Sequence, residues 1–291
     1  MSASASMAES GRTAKAAGRQ AADSKVMVGL ARAGLAARGL LYILVGAIAV
    51  QIAFGDKNQE ADRGGAVEEI GAKPFGEAML WVLVVALIGM CLWRLVEAAF
   101  GQAVPDGDKA GKRLMSLGRA IFYGFVVASL IRTLTASGGG GQGQGQEQGG
   151  SSNKTSKDLT AKALDWPGGR YLVGLAGLVL LGVGIGMAVR YALRRFREKL
   201  NTGEMSSLQR RMVDLLGMIG GISRGVVFGA AGVFVVVAAV KFDPDRAKGV
   251  DETLRSFAGT PMGPALLVVI ALGLVVFGLY SFCEARWRRV R

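Results

Sequence analysis

Six charged residues sit at matched positions along the chain and are its candidates for chemistry: Arg38, Glu97, Arg119, Arg190, Arg224 and Glu284. Each lies at the edge of a long apolar run, where a charge is costly unless it is paired or can snorkel to water. Arg38 with Glu97, and Arg224 with Glu284, can close simple ion pairs, within one segment of the chain or with its neighbour, clamping helix ends together. Arg119 and Arg190 are alike in sign and need an anion. A carboxylate from a neighbouring segment would close a network; a phosphate from an anionic lipid would bridge them, because guanidinium groups bind phosphate bidentately. The plainer alternative is that all six mark helix ends and reach water. Catalytic chemistry has little to work with. The sequence contains no histidine, which removes the usual proton shuttle and the commonest zinc and haem ligand. Ser129, Ser223 and Ser281 have no visible base, and no paired carboxylates fall inside an apolar run. The expectation is therefore a non-enzyme with no catalytic residue, metal site or cofactor.

The elements that must position these charges are apolar and long. The chain has 291 residues, 51% of them apolar, and 20% charged. Stretches such as Leu40–Phe54, Met79–Trp93, Tyr171–Val189 and Leu266–Phe282 hold no charge at all. A helix needs about 20 mostly apolar residues to cross a hydrocarbon layer of about 30 Å. Six segments meet that length: roughly 37–55, 76–97, 116–136, 170–192, 217–240 and 263–284.

The segments repeat. Odd-numbered ones open on small–Arg–small–apolar–apolar–aromatic: Ala37-Arg38-Gly39-Leu40-Leu41-Tyr42, Gly118-Arg119-Ala120-Ile121-Phe122-Tyr123 and Ser223-Arg224-Gly225-Val226-Val227-Phe228. Even-numbered ones open on Pro-x-Gly at Pro74, Pro167 and Pro261, and 23 residues past each Pro stands Glu97, Arg190 or Glu284. Arg-to-Pro spacing is 36, 48 and 37 residues, the middle copy being lengthened by a Gly/Gln tract. Three landmarks kept in register across three copies establish an internal repeat.

In these landmarks the chain resembles the bacterial membrane family known as domain of unknown function 1206, built of tandem two-helix units, over roughly residues 29–287. Copy two departs from the pattern at Ala120 and Arg190. The resemblance implies a bacterial inner-membrane location and a fold, with no activity attached. The expected architecture is an all-α membrane protein of six transmembrane helices, arranged as three parallel two-helix repeats in a pseudo-threefold bundle. Its divisions are a disordered basic tail over 1–28, repeat one over 29–101, repeat two over 113–200 with an outer linker at 138–152, and repeat three over 206–287.

Charge fixes the expected orientation. The net charge is +13, yet with both termini cytoplasmic 23 of the 35 Lys and Arg fall on the cytoplasmic side, and the other side holds 12 against 13 acidic residues. That is the positive-inside pattern, and it argues for anionic lipid headgroups rather than nucleic acid as the cationic partner. The densest basic segment, Arg194 through Arg211 with Phe196, Leu200, Leu208 and Met212 interleaved, reads as a loop or an amphipathic helix on the headgroups. Ser206 and Gln209 have the spacing of a capping box. Short amphipathic stretches at Val67 and Ile70, Leu159 to Leu164, and Leu254 and Phe257 read as outer surface helices or as ordinary loop. Gly182 and Gly186, and Gly217, Gly221, Gly225 and Gly229, recur at four-residue spacing and suit close helix packing in lipid. Cys91 and Cys283 read as small apolar residues, without a disulfide. The best functional expectation is a non-enzymatic scaffold, a lipid-interacting protein or an accessory subunit with a protein partner. The alternative is a small transporter or channel for a neutral or hydrophobic solute.

Overall fold

A computed structural model describes residues 25–54, 66–67, 70–71, 76–102, 109–137, 152–166, 168–241, 243, 248, 252–254, 256 and 263–289. The basic tail over 1–24, the Gly/Gln tract, Pro74, Pro167 and Pro261, and Phe257 lie outside the described residues. Among the described residues no strand forms. Six helices are long and apolar enough to cross a membrane. They are α1 (Lys25–Ala53), α2 (Gly76–Phe100), α3 (Ala110–Ser137), α5 (Gly169–Ala192), α6 (Ser207–Lys241) and α7 (Gly263–Trp287), with the short α4 (Ser152–Leu164) leading into α5. Helices α1 and α6 start about ten residues before their apolar runs; Ser206 caps α6, its Oγ accepting from Gln209 N (3.3 Å) while Ser206 N donates to Gln209 Oε1 (3.0 Å). Cys91 and Cys283 are free thiols.

The helices pack in a cycle that follows the repeat. Within repeats, α1 lies on α2 and α6 on α7; between repeats, α2 lies on α3, α5 on α6, and α7 on α1. The last contact joins copy three to copy one and bends the row of helix pairs into a ring that stays open at one seam. One seam of the ring does not pack in this way: α3 and α5, the two helices of copy two. Both present most of their apolar side chains outward, Ile121 and Phe125 on α3 and Leu175, Leu178, Val179 and Val183 on α5 among them.

The three between-repeat contacts are equivalent residue by residue. Gly39 on α1 faces Gly278 on α7, an added Cβ coming within 2.8 Å of the Gly278 carbonyl oxygen. Gly225 on α6 faces Gly184 on α5, again 2.8 Å from the carbonyl oxygen. Ala120 on α3 faces Cys91 on α2, whose Sγ–H donates to the Ala120 carbonyl at 3.3 Å. Gly39, Ala120 and Gly225 each follow the motif Arg, and Gly278, Cys91 and Gly184 each stand 17 residues past their Pro. This is the pseudo-threefold relation expressed as contacts. Between the helices, Tyr42, Val45, Leu83, Val84, Val127, Leu130, Val227, Leu274 and Phe277, from five helices, form one continuous apolar core.

One expectation is corrected and another is narrowed. Gly182 and Gly186 look into open space, where an added Cβ would meet nothing within 4 Å; the glycines of α5 that press on the backbone of α6 are Gly177 and Gly184. At 100° per residue, 182 and 186 lie about 200° from 184 and so on the opposite face. Of the four-residue series on α6, Gly225 and Gly229 meet Gly184, whereas Gly217 and Gly221 make room for the Phe196 and Tyr191 rings. Of the basic segment after α5, only the part from Ser207 is an exposed helix, as the start of α6; the part before it takes the loop reading rather than that of a surface helix. That part folds into two 3-10 turns, Arg195–Lys199 and Thr202–Glu204, that bury Phe196, Leu200 and Met205, while Leu208 and Met212 face outward on α6.

Candidate functional site

The charged landmarks gather at the end of the bundle where α1 begins and α7 ends. Here the pairing runs between repeats. Arg38 donates from Nη2 to Glu284 Oε2, and from both Nε (3.2 Å) and Nη2 (3.0 Å) to Ser281 Oγ, all three residues buried. Glu284 also accepts from Arg288 Nη1 at 2.8 Å. Arg288 reaches Glu97 as well, 3.7 Å away, and so ties copy three to copy one. Glu97 is held from its own helix by Arg94 Nη1 (2.6 Å) and from α3 by Ser116 Oγ (3.3 Å). Neither Arg38–Glu97 nor Arg224–Glu284 forms a direct ion pair among the described residues.

The turns after α5 close this end like a cap. Asn201 N donates to the Trp287 carbonyl (2.8 Å) and Arg289 N to that of Lys199 (2.9 Å), joining the loop to the tail of α7. Arg197 clasps Asp214 of α6 with both Nε and Nη2, the first bond being 2.6 Å. Beside the network the rings of Tyr191, Phe196, Phe277 and Tyr280 cluster with centroids 5.3–6.1 Å apart, Tyr191 stacked on Phe196 and Tyr191–Phe277, Tyr191–Tyr280 and Phe196–Tyr280 edge to face.

The arginines of copy two are left over. Among the described residues Arg119 donates only to Met115 Sδ (3.2 Å), and it lies within electrostatic reach of three arginines, Arg94, Arg224 and Arg288, and of one carboxylate, Glu97. Arg190 forms no hydrogen bond or ion pair among the described residues. Arg224 of copy three rests its guanidinium against the rings of Tyr42 (5.2 Å), Phe228 (5.3 Å) and Phe277 (5.0 Å), and its buried Nε has no hydrogen-bond acceptor.

The three repeats also stand out when the chain is compared with known proteins. A family described as Domain of Unknown Function (DUF1206) matches three times, over residues 33–101, 114–193 and 219–288. The chain belongs to this family. A relative in Bacillus subtilis (strain 168), described as "Uncharacterized protein YxxB", is 28% identical over 259 residues, covering 89% of this chain and 90% of that protein. No solved structure matches.

Of the motif charges, Arg38, Glu97 and Glu284 are joined in one network, whereas Arg119 and Arg190 of the second DUF1206 unit and Arg224 of the third stand outside its bonds, the second unit lying at the open seam. Sequence reading missed Arg94, Arg288 and the hydroxyls of Ser116 and Ser281. Arg94–Glu97 and Glu284–Arg288 are i,i+3 and i,i+4 pairs, a signal the sequence does carry. What the network can do is hold charge: two carboxylates, Glu97 and Glu284, serve at least three arginines.

Lys199 shares that environment. Burial, and then the positive charges of Arg288, Arg119, Arg94 and Arg190, hold its ammonium well below the usual lysine range, although Glu97 and Glu284 also feel it. A lysine whose folded pKa is lowered binds its proton more readily when unfolded. Between that lowered value and the ordinary value of about 10.4, stability therefore rises with pH, and above it levels off. In neutral detergent without added anions, the melting temperature of the wild type should climb through this window. Lys199→Met should be more stable than the wild type at the acid side and should lack that part of the slope. A parallel pair of curves would refute the assignment to Lys199.

Proposed function

We propose that the protein is a non-enzymatic multi-pass component of a bacterial plasma membrane, with both termini cytoplasmic, that works by binding lipid or as the accessory subunit of a membrane assembly. The observation that carries this reading is the interior: side chains of five helices fill it with apolar contact, including Val84, Val127, Val227 and Leu274. Ion and proton routes are usually marked by charged residues at mid-membrane depth; here the interior charges are gathered at one end. The faces of α3 and α5 offer lipid two long apolar surfaces. A second reading, a small transporter or channel for a neutral or hydrophobic solute, is favoured by the unpacked α3–α5 seam, through which such a solute could enter sideways.

Native mass spectrometry of the protein extracted gently from its own membrane, beside flux assays in proteoliposomes, separates the two. Retained lipid or a stoichiometric partner without solute flux is the expected result. Flux of a neutral or hydrophobic solute, with neither lipid nor partner retained, would overturn the first reading in favour of the second.

A further inference from the structure

The threefold relation makes a comparison that single residues do not. In the α1–α7 contact, Arg38 precedes the contact glycine Gly39, and Glu284 stands six residues past Gly278; the two are joined by an ion pair, with Ser281 bonding the same guanidinium. In the α6–α5 contact, Arg224 precedes Gly225, and Arg190 stands six residues past Gly184. The residue equivalent to Ser281 is Met187. Arg224 therefore has neither the carboxylate nor the hydroxyl that satisfies its counterpart, and its buried Nε is without an acceptor. Arg119 adds its charge from α3, and Lys199 lies within electrostatic reach of Arg190.

We infer that a phosphate group fills the place of the missing carboxylate, bound between Arg224 and Arg190 at the basic end of the α3–α5 seam. Guanidinium groups offer parallel N–H donors that match phosphate oxygens, and a dianion or monoanion there offsets charge that Glu97 and Glu284 leave uncompensated. Two sources share this chemistry. A phospholipid would lay its acyl chains on the exposed face of α5, where Leu178 and Val183 point outward, and a free phosphate would enter from water. This inference rests on the lipid-binding reading above and narrows it to one site.

The test uses the full chain in neutral detergent, with thermal stability and native mass spectrometry as readouts. Phosphatidylglycerol, phosphatidylcholine and inorganic phosphate are the three probes. The decisive variant is Arg190→Glu, which installs the residue found at the equivalent position of the other two copies. Its expected behaviour is higher stability than the wild type without added anion, and at least about a tenfold loss of affinity for the stabilising probe. Arg224→Met should lose the same response. Stabilisation by phosphatidylglycerol alone identifies the lipid as source; stabilisation by inorganic phosphate identifies a soluble one. The inference fails if neither phosphatidylglycerol nor inorganic phosphate stabilises the wild type, if phosphatidylcholine stabilises it as well as phosphatidylglycerol does, or if Arg190→Glu responds as the wild type does. If only the Arg190→Glu result fails, bound phosphatidylglycerol in the mass spectrum would leave the wider lipid-binding reading intact.

Discussion

Glu284→Gln should lower the melting temperature of the purified protein by on the order of 10 °C. Its carboxylate receives Arg38 from α1 and Arg288 from the end of α7, and the side chains of these arginines are only 9% and 4% exposed. Removing one partner of a buried ion pair typically costs about 3–5 kcal/mol, chiefly because the other charge is left uncompensated. For a chain of this size each kcal/mol corresponds to about 2–4 °C. The glutamine can keep a hydrogen bond to one guanidinium but cannot offset two positive charges. Arg38→Met combined with Glu284→Met should recover much of the loss, since Arg288 keeps Glu97 at 3.7 Å and no other group of the pair remains charged. A shift below 1 °C for Glu284→Gln, measured in nanodiscs of native lipid, would mean that the network does not hold α7 against α1.

Parts of this architecture are legible in one dimension and parts are not. Span length and the spacing of Arg, Pro and the 23rd-position charge are properties of the chain alone, so the six helices and the three copies can be read from it. Which helix meets which is a matter of closure. Arg38 is equally compatible in sequence with Glu97 of its own copy and Glu284 of another; the packing of α7 on α1 selects Glu284. The loop after α5 misleads for a related reason. Its arginines suggest a surface, but Phe196 and Leu200 turn inward because backbone bonds join residues 199–201 to 287–289, almost ninety positions away. Arg94 and Arg288 escape notice because they lie next to landmark residues and outside the repeated motif. The missing acceptor of Arg224 becomes visible only when the structure supplies the symmetry that says where an acceptor ought to be.

The glycines of α5 give the sharpest contrast between pattern and packing, and Gly184→Leu should be among the most damaging single changes in the protein. An added Cβ at Gly184 would lie 2.6 Å from the Gly229 Cα and 2.8 Å from the Gly225 carbonyl oxygen. Both are backbone atoms, and a helix backbone cannot turn aside as a flexible side chain can. The two helices would have to separate, and the neighbouring approaches of Gly177 to Val236 N (2.7 Å) and of Gly232 to the Gly177 carbonyl oxygen (2.9 Å) would open with them. Overpacking costs about 1–3 kcal/mol where side chains can adjust, so a loss at or above the top of that range is expected. Gly182→Leu should stay within about 0.5 kcal/mol of the wild type, because its Cβ enters open space on the face turned away from α6. The four-residue spacing of Gly182 and Gly186 would rank them with Gly184; the helix angle separates them. Thermal unfolding of the two variants side by side decides between these rankings. Equal damage from both would show that the outward face of α5 is covered in the membrane, and that the seam beside α3 is closed by something other than lipid.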